Sequence, residues 1–342
     1  SLDLRKIMRN PLEMTKSLYF CTYFDINYIS RALAMYNSLV QHCGNFQIYM
    51  LCFDNICVSY LQSLRLDHAT VISLEAFEAG DDELVATKNG RTKLEYYYTC
   101  GPSLPLYILK NYPEIDLITY LDADLYFYSN PKALINEMDG YSISITVHNF
   151  PEYRPAPSTG KYNVGWLSFR RDTNGLACLQ WWREKCIEWC YERFEAGKYA
   201  DQLYLDEWPK LFSGVKIIQN KGANVAAWNV SDYKFYEECG RVMVSGYPLI
   251  FYHFHGFKQI THHIYNTNLG LTLRFPSKIL KDKIFHPYIV ELNKNIINYN
   301  ATPSIRVKKL RPRWIQIIRT AIRIMIGIIF RQYVVVIDDK VY

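Results

Sequence analysis

Four common catalytic signatures are missing from this 342-residue sequence. No GxGxxG follows the first apolar strand, there is no GxxxxGK[ST] (Gly160-Lys161-Tyr162 breaks it), and neither a GxSxG elbow nor an HExxH helix occurs. Dinucleotide-binding dehydrogenases, P-loop NTPases, serine hydrolases and zincin proteases therefore lose their main support. Internal repeats and low-complexity stretches are also absent. With 49% hydrophobic, 21% charged and 15% aromatic residues, a disordered, collagen-like or coiled-coil chain is excluded. The nine cysteines form no CxxC pair and scatter through strand-like and helix-like segments, which argues against a secreted disulfide framework and for a reducing compartment. Residues 1–16 contain no apolar stretch of signal-peptide length, so the sequons at Asn229 and Asn300 carry no weight.

The formal net charge of +6 is unevenly spread. From Arg306 onward there are nine basic residues (Arg306, Lys308, Lys309, Arg311, Arg313, Arg319, Arg323, Arg331, Lys340) and two acidic ones, while residues 1–305 carry 30 basic and 31 acidic side chains. The body is neutral and the tail holds the excess, which argues against nucleic-acid binding. At 100° per residue, Arg313, Gln316, Arg319, Thr320, Arg323 and Arg331 share an arc of roughly 120°. Trp314, Met325 and the isoleucines fill the remainder. Arginines at every turn make a bilayer span unfavourable but suit an interfacial helix facing anionic headgroups between Arg306 and Arg331. The competing reading is a helix docked on protein.

Apolar runs at 17–25 and 46–53 read as buried strands flanking a helical pattern at 26–42, which implies a parallel sheet covered on both faces. A helix near 58–66, the short strand ATVISL and a tyrosine-rich helix at about 94–112 continue the alternation. The run from Ile115 to Leu121 then delivers Asp122 and Asp124 at a strand's C-terminal end, where open α/β sheets bind ligands. A strand at 142–147, a Pro-rich loop, the strand-like YNVGWLSF, a helix at about 175–196 and a strand ending in Tyr252 complete the body. The expected division is a leader at 1–16, a catalytic domain at 17–290 and a basic amphipathic segment at 291–342.

Two carboxylates one residue apart at a strand exit can reach one hard divalent cation, and such a cation can hold a diphosphate. A strand-end turn is the plain alternative. His253 and His255 end another apolar strand, with His262 and His263 just beyond. No neighbouring Cys supports a zinc site, so one of these histidines completing a carboxylate-bound Mn²⁺ site is the more natural reading.

The ordered stretches EYYYTCGPSLPLYIL, TYLDADLYFYSNP, YNVGWLSFRRD, ADQLYLDEWP and FYHFHGF, between residues 17 and 258, resemble a GT-A glycosyltransferase. The resemblance is to the nucleotide-diphospho-sugar transferase superfamily, on the side of glycosyltransferase family 8 (glycogenin and bacterial lipopolysaccharide galactosyltransferases), and to bacterial cell-surface glycan glycosyltransferases. It implies an α/β fold of GT-A (Rossmann-like) type: a mixed, mostly parallel central sheet with flanking helices, here with a C-terminal amphipathic helix added. It further implies that Asp122 and Asp124 match the family DxD, binding the metal and the donor's ribose and diphosphate. His253 matches the histidine of HxxGxxKPW, a third metal ligand, and Gly256 its glycine. Lys258 stands one position too early for that motif's lysine, and the PW is missing. Asn163 and Gly165 match the NxG segment against the donor sugar, and Asp201 and Gln202 the DQ pair beside the anomeric carbon. Thr22, Tyr23 and Asp25 occupy the nucleobase and ribose position. The family's arginine on the helix before DxD is absent, leaving Arg91 or Lys93 as substitutes.

The implied activity is a metal-dependent (Mn²⁺ or Mg²⁺), retaining transfer of a hexose from a nucleotide-sugar, UDP-linked by expectation. The acceptor would be a bacterial cell-surface glycan or lipid-linked molecule, as in lipopolysaccharide or capsule biosynthesis. The enzyme would be cytoplasmic and peripheral on the inner face of the membrane. Asp201 as a plain helix N-cap is the structural alternative to its catalytic role. Rival functions are a non-catalytic glycan- or nucleotide-binding scaffold and a nucleotide-sugar pyrophosphorylase, the latter lacking its Gly-rich basic loop in CTYFDINYIS.

Overall fold

The computed structural model describes residues 17–153, 159–261, 263–269, 276–301, 333–337 and 340–341. Its centre is a seven-stranded sheet built from β1 (Leu18–Phe24), β2 (Phe46–Cys52), β3 (Ala69–Ser73), β4 (Leu117–Leu121), β5 (Ile143–Val147), β6 (Tyr162–Arg170) and β7 (Val215–Ile217), in the order β3-β2-β1-β4-β6-β5-β7. Only β6 runs against its neighbours β4 and β5; β1 is parallel to both β2 and β4. The expected mostly parallel α/β sheet with flanking helices is what the chain builds.

Both faces are covered, so the strands are apolar on both sides. On one face Cys21, Leu51 and Tyr120 pack with Leu104 and Ile108 of the helix Lys93–Asn111 and with Trp182 of the helix Thr173–Glu188. On the other, Phe20, Ile48 and Trp166 meet Leu33 and Met35 of the helix Ile29–His42. The helix Lys93–Asn111 starts on a capping box, with Glu95 N–H donating to Thr92 and Glu95's carboxylate accepting from the Thr92 N–H.

The chain winds outward through β1, β2 and β3, then returns to place β4 on the other side of β1. The reversal opens a crevice at the C-terminal ends of β1 and β4, the position where doubly wound sheets hold ligands. Two additions close it. Leu125–Phe127 pairs antiparallel with Phe251–His253, which also pairs with Val225–Ala226. The buried amide of Asn229 braces this wall: its Nδ2 donates to the carbonyls of His148 and Asn224, and its Oδ1 accepts from Ala226 N–H. Asn229 is 0% exposed, so its sequon is sealed in the core.

The sequence reading differs from the structure at the helix expected at about 175–196, which stops at Glu188. Trp189 turns extended and Ala196 and Gly197 adopt positive φ, so the chain folds back through a short Glu195–Lys198 bridge. Cys190 is buried like Cys186 but lies beyond the helix. The division expected at residue 290 falls inside the helix His286–Ala301, and Tyr333–Ile337 pairs with Ile264–Asn266. The basic segment from Arg306 to Arg331, the leader at 1–16 and His262 lie outside the described residues. No helix among the described residues is long and apolar enough to cross a membrane.

Asn229→Ala leaves two carbonyls and one N–H unpaired in the core, and is expected to lower unfolding stability by roughly 2–4 kcal/mol, read as the shift of a urea unfolding midpoint.

Candidate active site

The crevice at the β1/β4 switch point is a cavity of about 630 Å³, within the size range of small-molecule sites. Asp122 leaves β4 with its N–H on the Gly165 carbonyl and its Oδ1 accepting from Tyr120 OH at 2.9 Å. Asp124 is pinned by Phe254, whose N–H donates to its carbonyl at 2.9 Å. The pairing of Phe251–His253 with Leu125–Phe127 sets His253 opposite Leu125, and so beside the acid pair. His253 Nε2 stands 3.2 Å from Asp124 Oδ1 and 3.5 Å from Asp122 Oδ2. Its other nitrogen faces Asn224 Oδ1 at 3.4 Å, and Asn224 in turn donates Nδ2 to the Val147 carbonyl. That orients the imidazole with Nε2 toward the carboxylates.

Three acids and an imidazole line this cavity, and burial and charge act on each. Burial raises Asp124, yet the charge of His253, with those of His255 and Arg31 beyond, outweighs it and holds the carboxyl at about 2. Asp122 is raised, by burial first and by the Asp124 charge, against the pull of His253. For His253 burial works downward, but Asp124 and Asp122 prevail and raise it. Asp201 is pushed up to about 8 by burial and then by the Asp122 charge. Buried His148 is lowered to about 4, chiefly by desolvation.

Asp201 and Gln202 line the cavity opposite the acid pair. Asp201 is not a helix N-cap: the short 3₁₀ turn Leu203–Glu207 is preceded by Gln202, and no side chain caps it. Instead Trp182 Nε1 donates to the Asp201 carbonyl at 2.8 Å. Gln202 donates Nε2 to the Thr159 carbonyl and accepts from Asn163 Nδ2, whose neighbour on the other side is His148 Nε2. At the β1 end, Tyr23 and Asp25 line the same cavity with Lys93 and Tyr97. Asp25 accepts from Lys93 Nζ at 3.2 Å, and Tyr97 stacks on Phe53 at 3.6 Å.

Of the residues singled out from sequence, the fold thus gathers Tyr23, Asp25, Asp122, Asp124, Asn163, Asp201, Gln202 and His253 on one cavity. Thr22, Gly165, Gly256 and Lys258 do not line it. Thr22 points into the sheet's packing, 0% exposed. Gly165 acts by what it lacks, since a Cβ there would meet Asn163 Oδ1 at 2.7 Å and the His253 ring at 2.9 Å. Gly256, at φ +70°, has its missing Cβ against Asn268. Lys258 is exposed on the strand Lys258–Thr261, opposite Asn266. Of the two proposed cationic substitutes, Lys93 reaches the cavity, whereas Arg91 is spent on Thr99 and the Ile187 carbonyl. Asn224 and His148 escaped the sequence reading because neither sits in a recognisable pattern. His148 is signalled only by its place at the exit of β5.

The residues fit a divalent cation. His253 Nε2 is buried and has no hydrogen-bond partner although two carboxylates stand beside it. Three donors converge on a common point. Asp124, His253 and His255 place their donor atoms within 4.8 Å of one another.

A doubly wound α/β protein with an acid–histidine cluster at its switch point is the class that fold and site define. The chain belongs to the same family as YfnD and YfnF of Bacillus subtilis (strain 168), both uncharacterized: it is 32% identical to YfnD over 282 residues, 81% of this chain and 89% of YfnD. Identity to YfnF is 32% over 251 residues, 71% and 82% of the two chains. No family model matches. Similar solved structures include the galactosyltransferase LgtC with donor and acceptor sugar analogs (15% identity, 70% of this chain and 87% of that one, TM-score 0.46). Mouse xyloside xylosyltransferase 1 aligns at 16% identity over 61% of this chain and 87% of its own, with a TM-score of 0.41.

Because the folded state holds the Asp201 proton up to about 8 against an unfolded value near 3.9, ionisation of Asp201 disfavours folding by an amount that grows as pH rises from about 4 and is complete above about 8. In metal-free protein, Asp201→Asn is expected to match the parent in melting temperature near pH 4. It should exceed the parent by a margin that widens as pH rises toward 8 and then levels off. A margin independent of pH would show that Asp201 ionises normally.

Proposed function

We propose that the chain is a metal-dependent glycosyltransferase that takes a hexose from a nucleotide-sugar, UDP-linked, with retention of configuration. The observation that carries this is the convergence of Asp122, Asp124 and the unpartnered Nε2 of His253 at one end of a 630 Å³ cavity, with Asp201 and Gln202 facing them. Asp122, Asp124 and His253 would hold Mn²⁺ or Mg²⁺, which when bound neutralises charge developing on the leaving diphosphate. The chain's own residues do the rest. Tyr23, Asp25 and Tyr97 form the wall for base and ribose. Asn163, its Nδ2 held by His148 and Gln202 and its Oδ1 by the Gly165 N–H, offers the remaining lone pair of Oδ1 to a sugar hydroxyl.

Asp201, neutral over much of the physiological range, is suited to donate a hydrogen bond to a sugar hydroxyl or oxygen. Gln202 turns its amide dipole toward the carbon where positive charge develops. Trp228 and Phe150, on the wall beyond His148, are apolar faces of the kind that sugars pack against. A cell-surface glycan or lipid-linked acceptor suits the amphipathic arginine pattern between Arg306 and Arg331, which supports peripheral attachment to an anionic membrane on the cytoplasmic side. Since Tyr333–Ile337 pairs with the body, attachment is better tested by Arg319→Glu/Arg323→Glu than by truncation. Loss of flotation with anionic vesicles is the expected result, and equal flotation would reject it.

Hydrolysis of a nucleotide-sugar panel tests the activity itself. The parent should consume one UDP-sugar in Mn²⁺, and Asp124→Asn should lose at least about 100-fold in rate while its far-ultraviolet circular dichroism is unchanged. Undiminished turnover by the variant would reject the metal site; absence of nucleotide binding by the parent would favour the scaffold.

A further inference from the structure

We infer that His255 is a fourth protein ligand in this site, making it a two-nitrogen, two-oxygen centre that prefers Co²⁺, Ni²⁺ or Zn²⁺ to Mg²⁺. The inference rests on the metal reading above and adds to it a residue and an ion preference.

His253 ends the strand Phe251–His253 and His255 lies two residues on, in the turn at Gly256, with its ring beside that of His253. Phe254 is buried and stacks on Tyr288 at 3.6 Å and 15°, while its N–H is bonded to the Asp124 carbonyl. The intervening residue is thus anchored on both its side chain and its backbone, and the two imidazoles emerge together beside Asp124. The His255 carbonyl accepts from Asn268 Nδ2 at 3.1 Å. Its ring stands 5.8 Å from that of His253 at 90°, and Trp228 abuts both rings edge-on, at 5.2 and 5.8 Å. The planes of the two imidazoles are therefore fixed by the same indole.

The donor atoms of Asp124, His253 and His255 lie within 4.8 Å of one another. Donors around one six-coordinate ion stand roughly 3–4.3 Å apart when bonds are near 2.1 Å, so small side-chain rotations suffice to enclose one. His253 Nε2, 2% exposed on its side chain and without a hydrogen-bond partner, is the atom around which the set closes. Asp122 Oδ2 lies 3.5 Å from it, and His255, exposed, lines the same cavity. Two carboxylates alone suit Mg²⁺ and Mn²⁺, whereas each added imidazole shifts affinity toward later divalent ions of the first row and zinc. Four protein donors leave two positions of an octahedron for diphosphate oxygens.

Titrating the full chain with Co²⁺ and Mn²⁺ without nucleotide, by calorimetry and by the visible absorption of Co²⁺, tests this. The parent should bind Co²⁺ at least about tenfold more tightly than Mn²⁺. His255→Ala, which removes an exposed side chain, should weaken Co²⁺ binding by about tenfold or more, reduce Mn²⁺ binding less, and shift the Co²⁺ band. Unchanged Co²⁺ affinity and spectrum in His255→Ala, with both abolished in Asp124→Ala, would overturn His255 as a ligand while leaving the three-ligand site intact. Failure of the parent to bind either ion would overturn the metal reading itself.

Discussion

The site depends on one pairing of short strands. Leu125–Phe127 and Phe251–His253 are far apart in sequence and adjacent in space, and their register sets His253 opposite Leu125. The Phe254 N–H bonded to the Asp124 carbonyl locks that register. A slip by one residue would turn His253 away from the carboxylates, because successive strand residues face opposite ways. Everything else on this wall follows: Asn224 can reach the far nitrogen of His253, Trp228 can hold both imidazole planes, and Gly165 must lack a side chain because His253 occupies its space.

That pairing gathers like charges in a buried place. Asp122 and Asp201 are raised by burial, and the negative charge of Asp122 adds to the rise at Asp201. Such an arrangement opposes folding of the metal-free chain, since buried carboxylates without cationic partners are unfavourable. The cluster is relieved only in part, through His253 and Asp124. A cation or a substrate would complete the relief, which is the physical link between the fold's most strained electrostatics and its proposed chemistry.

Much of this was legible in the sequence, for definite reasons. The apolar runs ending at Phe24 and Leu121 are long and doubly buried, so they announce central parallel strands, and the polar residues at their ends mark the crevice. The ordered DxD, NxG and DQ segments and the matched His253 placed six residues on the cavity wall, and the exit of the first strand placed Tyr23 and Asp25. What failed did so where tertiary contacts override local pattern. Lys258 lies near the histidines in sequence, but pairing with Asn266 carries it onto an exposed strand. The helix Thr173–Glu188 ends early because Trp189 turns extended. Asn224 could not be found at all, since its role consists of a contact with a histidine 29 residues away.

The central claim is that Asp122, Asp124 and His253 hold a divalent cation against a nucleoside diphosphate. Anomalous diffraction from crystals of the chain soaked with Mn²⁺ and UDP tests it most directly. The account predicts a single strong manganese peak within bonding distance of Asp122, Asp124 and His253, with diphosphate oxygens on its cavity side. UDP density without such a peak, or a manganese peak elsewhere on the chain, would contradict it.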